Sequence, residues 1–336
     1  MNKKMIALVV AAAASTGATA AEVAKTEDSS LAIGGRIEAR LAIQDGKAED
    51  QSRVRLNVAG ETQIADGLTG IGFYEGEYKA TKYNSTDNKH DTDTLEHRYM
   101  YTGVAGDFGK VTVGTVNGSL QKVTDFTDIM SYHGNGAAPK LDVADRPDRS
   151  IAYAGEFAGL EVRANYAFES AVANSEGKLE GEKNSGYALS GIYNIGETGA
   201  RVTAAYAQQD NGETKENKQA MAGASYELGN IYVAGLYTYG KENVTGADNT
   251  KTNGYELAAA YKLGQAKFTT TYNRLDNEVG SSAAEKATDA IAVDATYYFN
   301  ANFRTYASYK FNLLKEEKVG AIKSQDQAVL GLRYDF

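Results

Sequence analysis

The last ten residues, QAVLGLRYDF (327–336), alternate without a break: Ala328, Leu330, Leu332, Tyr334 and Phe336 on one face, Val329, Gly331, Arg333 and Asp335 on the other. A period of two places apolar and polar side chains on opposite sides of an extended strand. The same pattern fills most of the chain. Val54, Leu56, Val58, Thr62 and Ile64 oppose Arg53, Arg55, Asn57 and Glu61; Leu160, Val162, Ala164, Tyr166 and Phe168 oppose Glu161, Arg163 and Asn165; Ile291, Val293, Ala295, Tyr297 and Phe299 oppose Asp294 and Thr296. Almost no segment has a helical period. The alternation predicts sixteen strands at 31–43, 52–64, 68–82, 94–105, 109–116, 149–156, 159–169, 185–195, 200–209, 219–228, 230–241, 253–263, 266–276, 288–299, 302–313 and 326–336.

The connections alternate in length. Seven are short and rich in Gly, Asn and Asp, as tight hairpin turns require: 65–67, 106–108, 156–158, 196–199, 229, 264–265 and 300–301. Between them lie long hydrophilic segments at 44–51, 83–93, 117–148, 170–184, 210–218, 242–252, 277–287 and 314–325. Successive hairpins therefore put every short turn at one end and every long loop at the other. A soluble sandwich has no reason to obey that rule; a membrane-spanning barrel does. Strands of this length, at about 3.3 Å per residue and a tilt near 45°, cover roughly 25–30 Å of bilayer. The barrel must close, because each unpaired backbone group at an open edge in hydrocarbon costs several kcal/mol. The fold class expected is an all-β, sixteen-stranded antiparallel transmembrane barrel, with short periplasmic turns and long extracellular loops. Tyr297, Phe299, Phe303 and Phe336, near strand ends, suit an interfacial aromatic girdle.

Residues 1–20, MNKKMIALVVAAAASTGATA, have Lys3 and Lys4, a short apolar run and a small-x-small ending at Ala18 to Ala20, which reads as a secretory signal peptide cleaved after Ala20 or Ala21. The barrel domain then spans 21–336, and loss of Lys3 and Lys4 takes the formal charge from −9 to −11. An acidic chain lacks the basic face of a nucleic-acid binder. With no cysteine, a disulfide framework and a Cys-ligated zinc site are both excluded.

Five stretches, IGGRIEARLAI (33–43), SRVRLNVAGE (52–61), GDFGKVTVGT (106–115), RPDRSIAYAG (146–155) and the terminal Phe336, give the whole mature chain a resemblance. It resembles the general porins of Gram-negative outer membranes, especially the group found in marine gammaproteobacteria. That resemblance implies a homotrimer in outer-membrane lipid and lipopolysaccharide, passing small hydrophilic solutes by passive diffusion. It implies that Phe336, in the last strand, is the signal read by the barrel-assembly machinery. It also implies that the 32-residue connection 117–148 folds into the lumen as a constriction. TDIMSYHGNG (127–136) looks like the family's constriction segment, with Asp128 at the position of a family acid and Tyr132 where an acid is common.

The loop offers Asp125, Asp128, Asp142, Asp145 and Asp148 against Lys122, Lys140 and Arg146. The opposite wall is expected to be basic, from Arg36, Arg40, Arg53, Arg55 and Arg98 on inward parities, with Arg146 added from the loop and Tyr99 and Tyr101 on the face away from Arg98. Facing acid and base rows set a transverse field that favours polar solutes. With the acidic loop and net charge, this predicts a weak cation preference, screened by salt. No cofactor or metal is expected. His90, His97 and His133 show no convergent ligands, and no serine near His97 makes an evident catalytic arrangement, so no enzyme is expected. A substrate-selective channel, or a surface adhesin or phage receptor acting through the loops, stands as the alternative.

Overall fold

In the computed structural model, residues 20–79, 82–84, 89–91, 94–173, 175–181 and 184–336 are described. The signal-peptide reading of 1–20 therefore falls almost wholly outside the described residues. Sixteen strands form one closed antiparallel barrel: β1 Ser29–Gln44, β2 Arg53–Ala65, β3 Leu68–Lys79, β4 Thr94–Gly106, β5 Gly109–Thr115, β6 Ser150–Phe157, β7 Leu160–Ala167, β8 Ser185–Asn194, β9 Ala200–Asp210, β10 Lys215–Leu228, β11 Ile231–Val244, β12 Thr250–Leu263, β13 Ala266–Val279, β14 Glu285–Tyr298, β15 Phe303–Asn312 and β16 Gln327–Asp335. Each pairs with the next, and β1 pairs with β16 from Arg36↔Asp335 to Ile43↔Ala328. Among the described residues no helix is long and apolar enough to cross a membrane; the strands do so.

The faces are inverted relative to a soluble protein. On β16, Leu330 is 51% and Leu332 49% exposed, whereas Val329 and Asp335 are covered. A continuous apolar outer band of this kind is stable only against lipid or another protein. Rings gather at the strand ends: Tyr297 meets Phe299 at 5.1 Å, and Phe299 meets Phe303 at 5.5 Å.

A glycine lets the chain end close the seam. Gly35 and Phe336 exchange backbone hydrogen bonds of 2.9 and 3.0 Å, and the Phe336 ring lies where a Cβ on Gly35 would sit, 2.8 Å from its Cζ. A side chain at 35 would collide with the Arg55 carbonyl of β2 as well as with the Phe336 ring. Below that point Ala21–Lys25 pairs with the same edge of β1, covering backbone groups that β16 does not reach.

Three features depart from the sequence expectation. First, several strands run further into the long connections, leaving only 211–214, 245–249 and 280–284 between β9/β10, β11/β12 and β13/β14. Cross-strand pairing continues above the membrane wherever partners persist. Secondly, segments expected as loop carry their own pairs: Lys82–Asn84 with Lys89–Asp91, Ala171–Ala173 with Leu179–Gly181, and Lys47–Asp50 against β1. Thirdly, β4 carries a bulge. Glu75 pairs with Tyr99 and Gly76 with His97, leaving Arg98 as the extra residue. Arg98 and Tyr99 thus both face the lumen and the parity reverses beyond them. Tyr99 and Tyr101 are lumenal, not on the outer face as strict alternation predicts.

Candidate functional site

The connection from β5 to β6 lies inside the barrel. Its two legs pair with each other, Gly118 N–H to the Asp145 carbonyl at 2.7 Å and Leu120 N–H to that of Ala144 at 3.2 Å, with helical turns at Gln121–Thr124 and Asp142–Asp145. Leu120, Val123, Ala138 and Ala144 are buried against Ala188, Ala205, Ala207, Met221 and Leu236 on the inner faces of β8 to β11. This small apolar core forms between loop and wall because those inner faces bear alanine and neutral residues where β1 to β4 bear charges.

Polar tethers carry the loop round the wall. Asn165 on β7 accepts from Ser119 N–H and Oγ at 2.9 and 2.8 Å and donates to the Val143 carbonyl at 2.7 Å. Tyr232 donates to the Phe126 carbonyl at 2.8 Å. Glu256 on β12 accepts from Thr127 Oγ1 and from Ala137 N–H, the latter at 2.8 Å. The backbone comes so close here that Gly254 has no room for a Cβ beside the Ala137 carbonyl. Further on, Lys267 donates to the Ile129 carbonyl at 2.9 Å and Ser131 bonds Thr296 at 2.7 Å. At the tip, His133 meets Ser308 and Gln327 at 2.8 and 3.1 Å. Tyr132 donates to Gln51, and the Arg40 guanidinium sits 5.2 Å over its ring. The tip thereby returns to β1, and Tyr132 takes an aromatic role at the position where an acid is common in the family.

Across the lumen stands the basic wall, but it is not bare. Arg53 and Arg40 pair with Glu38 at 2.9 and 3.1 Å, with Arg36 at 3.9 Å from the same carboxylate. Arg53 and Arg55 share Glu77, and Arg98 pairs with Glu75 at 2.7 Å. Glu38, Glu75 and Glu77, each 1–2% exposed, were not singled out from sequence. Their signal was available: all three share the inward parity of the arginines. Five guanidiniums crowded together without them would repel one another strongly.

The loop carboxylates do not act as one row. Asp125, paired with Lys122 at 3.0 Å, lines a cavity with Arg55, Arg98, Lys110 and Arg163. Asp142 instead accepts from Asn184 at 3.0 Å, and Asp145 lies between Lys140 and Arg146 at 3.6 and 3.4 Å. Those two, with Arg146, line a notch at the rim near His97 rather than the cavity facing the arginines. Asp148 pairs with Arg149 at 2.5 Å. Asp128 reaches lumen water, yet enclosure by surrounding protein, with the Asp125 charge second, pushes its pKa up to about 6. Burial, reinforced by the Lys310 charge and opposed by the Gln327 hydrogen bond, brings His133 down to about 4, so it is neutral at ordinary pH. His90 pairs through its backbone with Tyr83. Among the described residues no cluster fit for a metal ion occurs.

Residues 7–316 match the family model described as Gram-negative porin. The chain belongs to the Gram-negative porin family. Over its full length, and the full length of each relative, this porin is 45% identical to outer membrane protein U of Vibrio parahaemolyticus and 44% identical to porin-like protein L of Photobacterium profundum. Its fold matches Salmonella typhi OmpF with a TM-score of 0.76 at 23% identity, covering 93% of this chain and 99% of that one. It matches Vibrio cholerae OmpT, solved in a trimer form, with 0.72 at 17% identity, covering 92% and 100%. The porin is an outer-membrane channel protein of a Gram-negative bacterium and not an enzyme.

Proposed function

We propose that this porin is an open, water-filled pore through which small hydrophilic solutes and ions diffuse passively, narrowed by the loop 117–148. The observation carrying this reading is the loop's position. It is stitched along the inner faces of β7 to β16, leaving a lumen lined on the other side by Arg36, Arg40, Arg53, Arg55 and Arg98. Asp125 and Asp128 are its acidic side.

The selectivity follows from where charge sits. The cavity between loop and wall holds Arg55, Arg98, Lys110, Lys122 and Arg163 against Glu75 and Asp125, whereas the mature chain carries −11 overall. The excess acid therefore lies outside that cavity. Its field extends about 10 Å at 0.1 M salt and about 3 Å at 1 M. The pore therefore prefers cations weakly at low salt and loses that preference at high salt.

A homotrimer is supported by the outer face. β6 to β16 carry outward rings, Tyr153, Tyr166, Tyr187, Tyr237, Phe268 and Tyr309 among them, but the outward faces of β1, β2 and β5 carry none and β3 has Gly70, Gly72 and Gly76 beside Tyr74 and Tyr78. Lipid-facing strands anchor with aromatic residues at the interfaces; a sector without them suits contact with another barrel. The last strand, ending at Phe336, is the element offered to the barrel-assembly machinery.

The test is reconstitution of the purified protein in planar bilayers under a salt gradient, for wild type and Asp128→Asn. Ohmic openings in groups of three, with a cation preference reduced in the variant, are expected. Absence of channels refutes the open pore, and openings with unchanged selectivity remove Asp128 from the constriction.

A further inference from the structure

One corner of the lumen differs from the rest of the basic wall. The β4 bulge turns Tyr99 and Tyr101 inward, where Phe73 of β3 stacks on Tyr101 at 5.4 Å and 30° and meets Tyr99 at 6.2 Å. The three rings and Lys110 of β5 line one cavity. Its other cations are engaged: Arg98 by Glu75, Arg55 by Glu77, Lys122 by Asp125, and Arg163 by Glu161 at 2.5 Å. Lys110 has no ion pair or side-chain hydrogen bond among the described residues. Glu161, the one acid whose charge favours it, is already held by Arg163.

An ammonium with no carboxylate of its own, beside a guanidinium and an aromatic platform, has two unmet preferences. Its charge needs a counter-ion, and the rings offer area that water wets poorly. We propose that this corner is a binding subsite for amphipathic anions, small solutes bearing one sulfonate or carboxylate on a flat apolar body. The anionic group meets Lys110 and Arg163, and the body lies on Phe73 and Tyr101. A cation of the same shape is disfavoured, because Lys110, Arg163 and Arg98 repel it and the Arg98 guanidinium already sits 5.8 Å over the Tyr99 ring. Bound solute occupies the pathway beneath the loop and interrupts current. The inference rests on the channel reading and names a solute class within it.

The experiment is current-block titration of the reconstituted porin at ~0.1 M salt, where screening leaves local charge effective. The probes are naphthalene-2-sulfonate, methanesulfonate as the anion without a ring, and 2-naphthylmethylammonium as the ring with opposite charge. The half-blocking concentration of naphthalene-2-sulfonate is expected to be at least about ten-fold below either comparator. Lys110→Gln raises it about ten-fold and Tyr101→Leu several-fold, while Lys110→Arg retains the block and Lys310→Gln, removing a lumen charge on β15, changes it less than two-fold. Equal block by both anions, or equal loss in Lys110→Gln and Lys310→Gln, overturns the subsite while leaving an open channel. Absence of channels in the wild type overturns the channel reading itself, and the subsite with it.

Discussion

Replacing Gly254 with alanine tests whether the loop is held on the wall by backbone contact. The new methyl lies 2.5 Å from Thr238 Cγ2 and 3.0 Å from the Ala137 carbonyl carbon, and overlaps the Ala137 carbonyl oxygen. The overlapped Ala137 carbonyl has to retreat by about 1 Å before it regains van der Waals separation from the new methyl. Thr238 belongs to a neighbouring strand locked into the ladder at Thr238↔Gly254, so the loop moves. The 2.8 Å bond from Ala137 N–H to Glu256 then lengthens well beyond the usual range. Losing a hydrogen bond to a charged acceptor costs about 1.5–3 kcal/mol. The only free direction is away from the wall, into the lumen. Gly254→Ala is therefore expected to lower single-channel conductance and raise open-channel noise, while the thermal unfolding of the barrel, which rests on its sixteen-strand ladder, stays near wild type. Conductance and noise equal to wild type, with the protein folded, refute the anchoring argument.

Three further outcomes follow from the same geometry. With an Asp128 pKa near 6, lowering the pH from 8 to 5 protonates that carboxylate and removes a negative charge from the lumen; cation preference should fall over this window, and the change should vanish in Asp128→Asn, as reversal potentials will record. Glu77→Gln leaves Arg53, Arg55 and Lys79 without their shared carboxylate; selectivity should move toward anions in the same measurement, and the barrel should lose roughly 1–3 kcal/mol, read by thermal unfolding. Gly331→Ala drives a methyl into the Tyr306 ring, whose hydroxyl donates to Glu38 at 3.0 Å and accepts from Arg40 at 2.9 Å. The seam between β15, β16 and β1 should loosen, lowering the unfolding temperature without changing strand content by circular dichroism.

Sequence alone determined the barrel. Period-two alternation in sixteen segments fixes which side chains face out, and lipid tolerates only one solution to backbone hydrogen bonding in strands, closure. Turn and loop lengths then orient the barrel, and Arg36, Arg40, Arg53, Arg55 and Arg98 were placed in the lumen by parity. Two local patterns went unused: Glu38, Glu75 and Glu77 share that parity, and the run of small inward residues on β8 to β11, Ala188, Ala205 and Ala207 among them, marks the wall able to receive a loop. Other facts belong to the tertiary structure. The β4 bulge, which turned Tyr99 and Tyr101 inward, arises from pairing against β3 and has no counterpart in alternation. Asp142 meets Asn184 because the loop packs against the start of β8, a contact that its place along the loop does not reveal. Tyr132 meets Arg40 and Gln51 only because closure brings β1 beside β16. Alternation is a property of each strand; the electrostatics of a pore depend on distances between residues far apart in the chain, and those are set when the sheet closes.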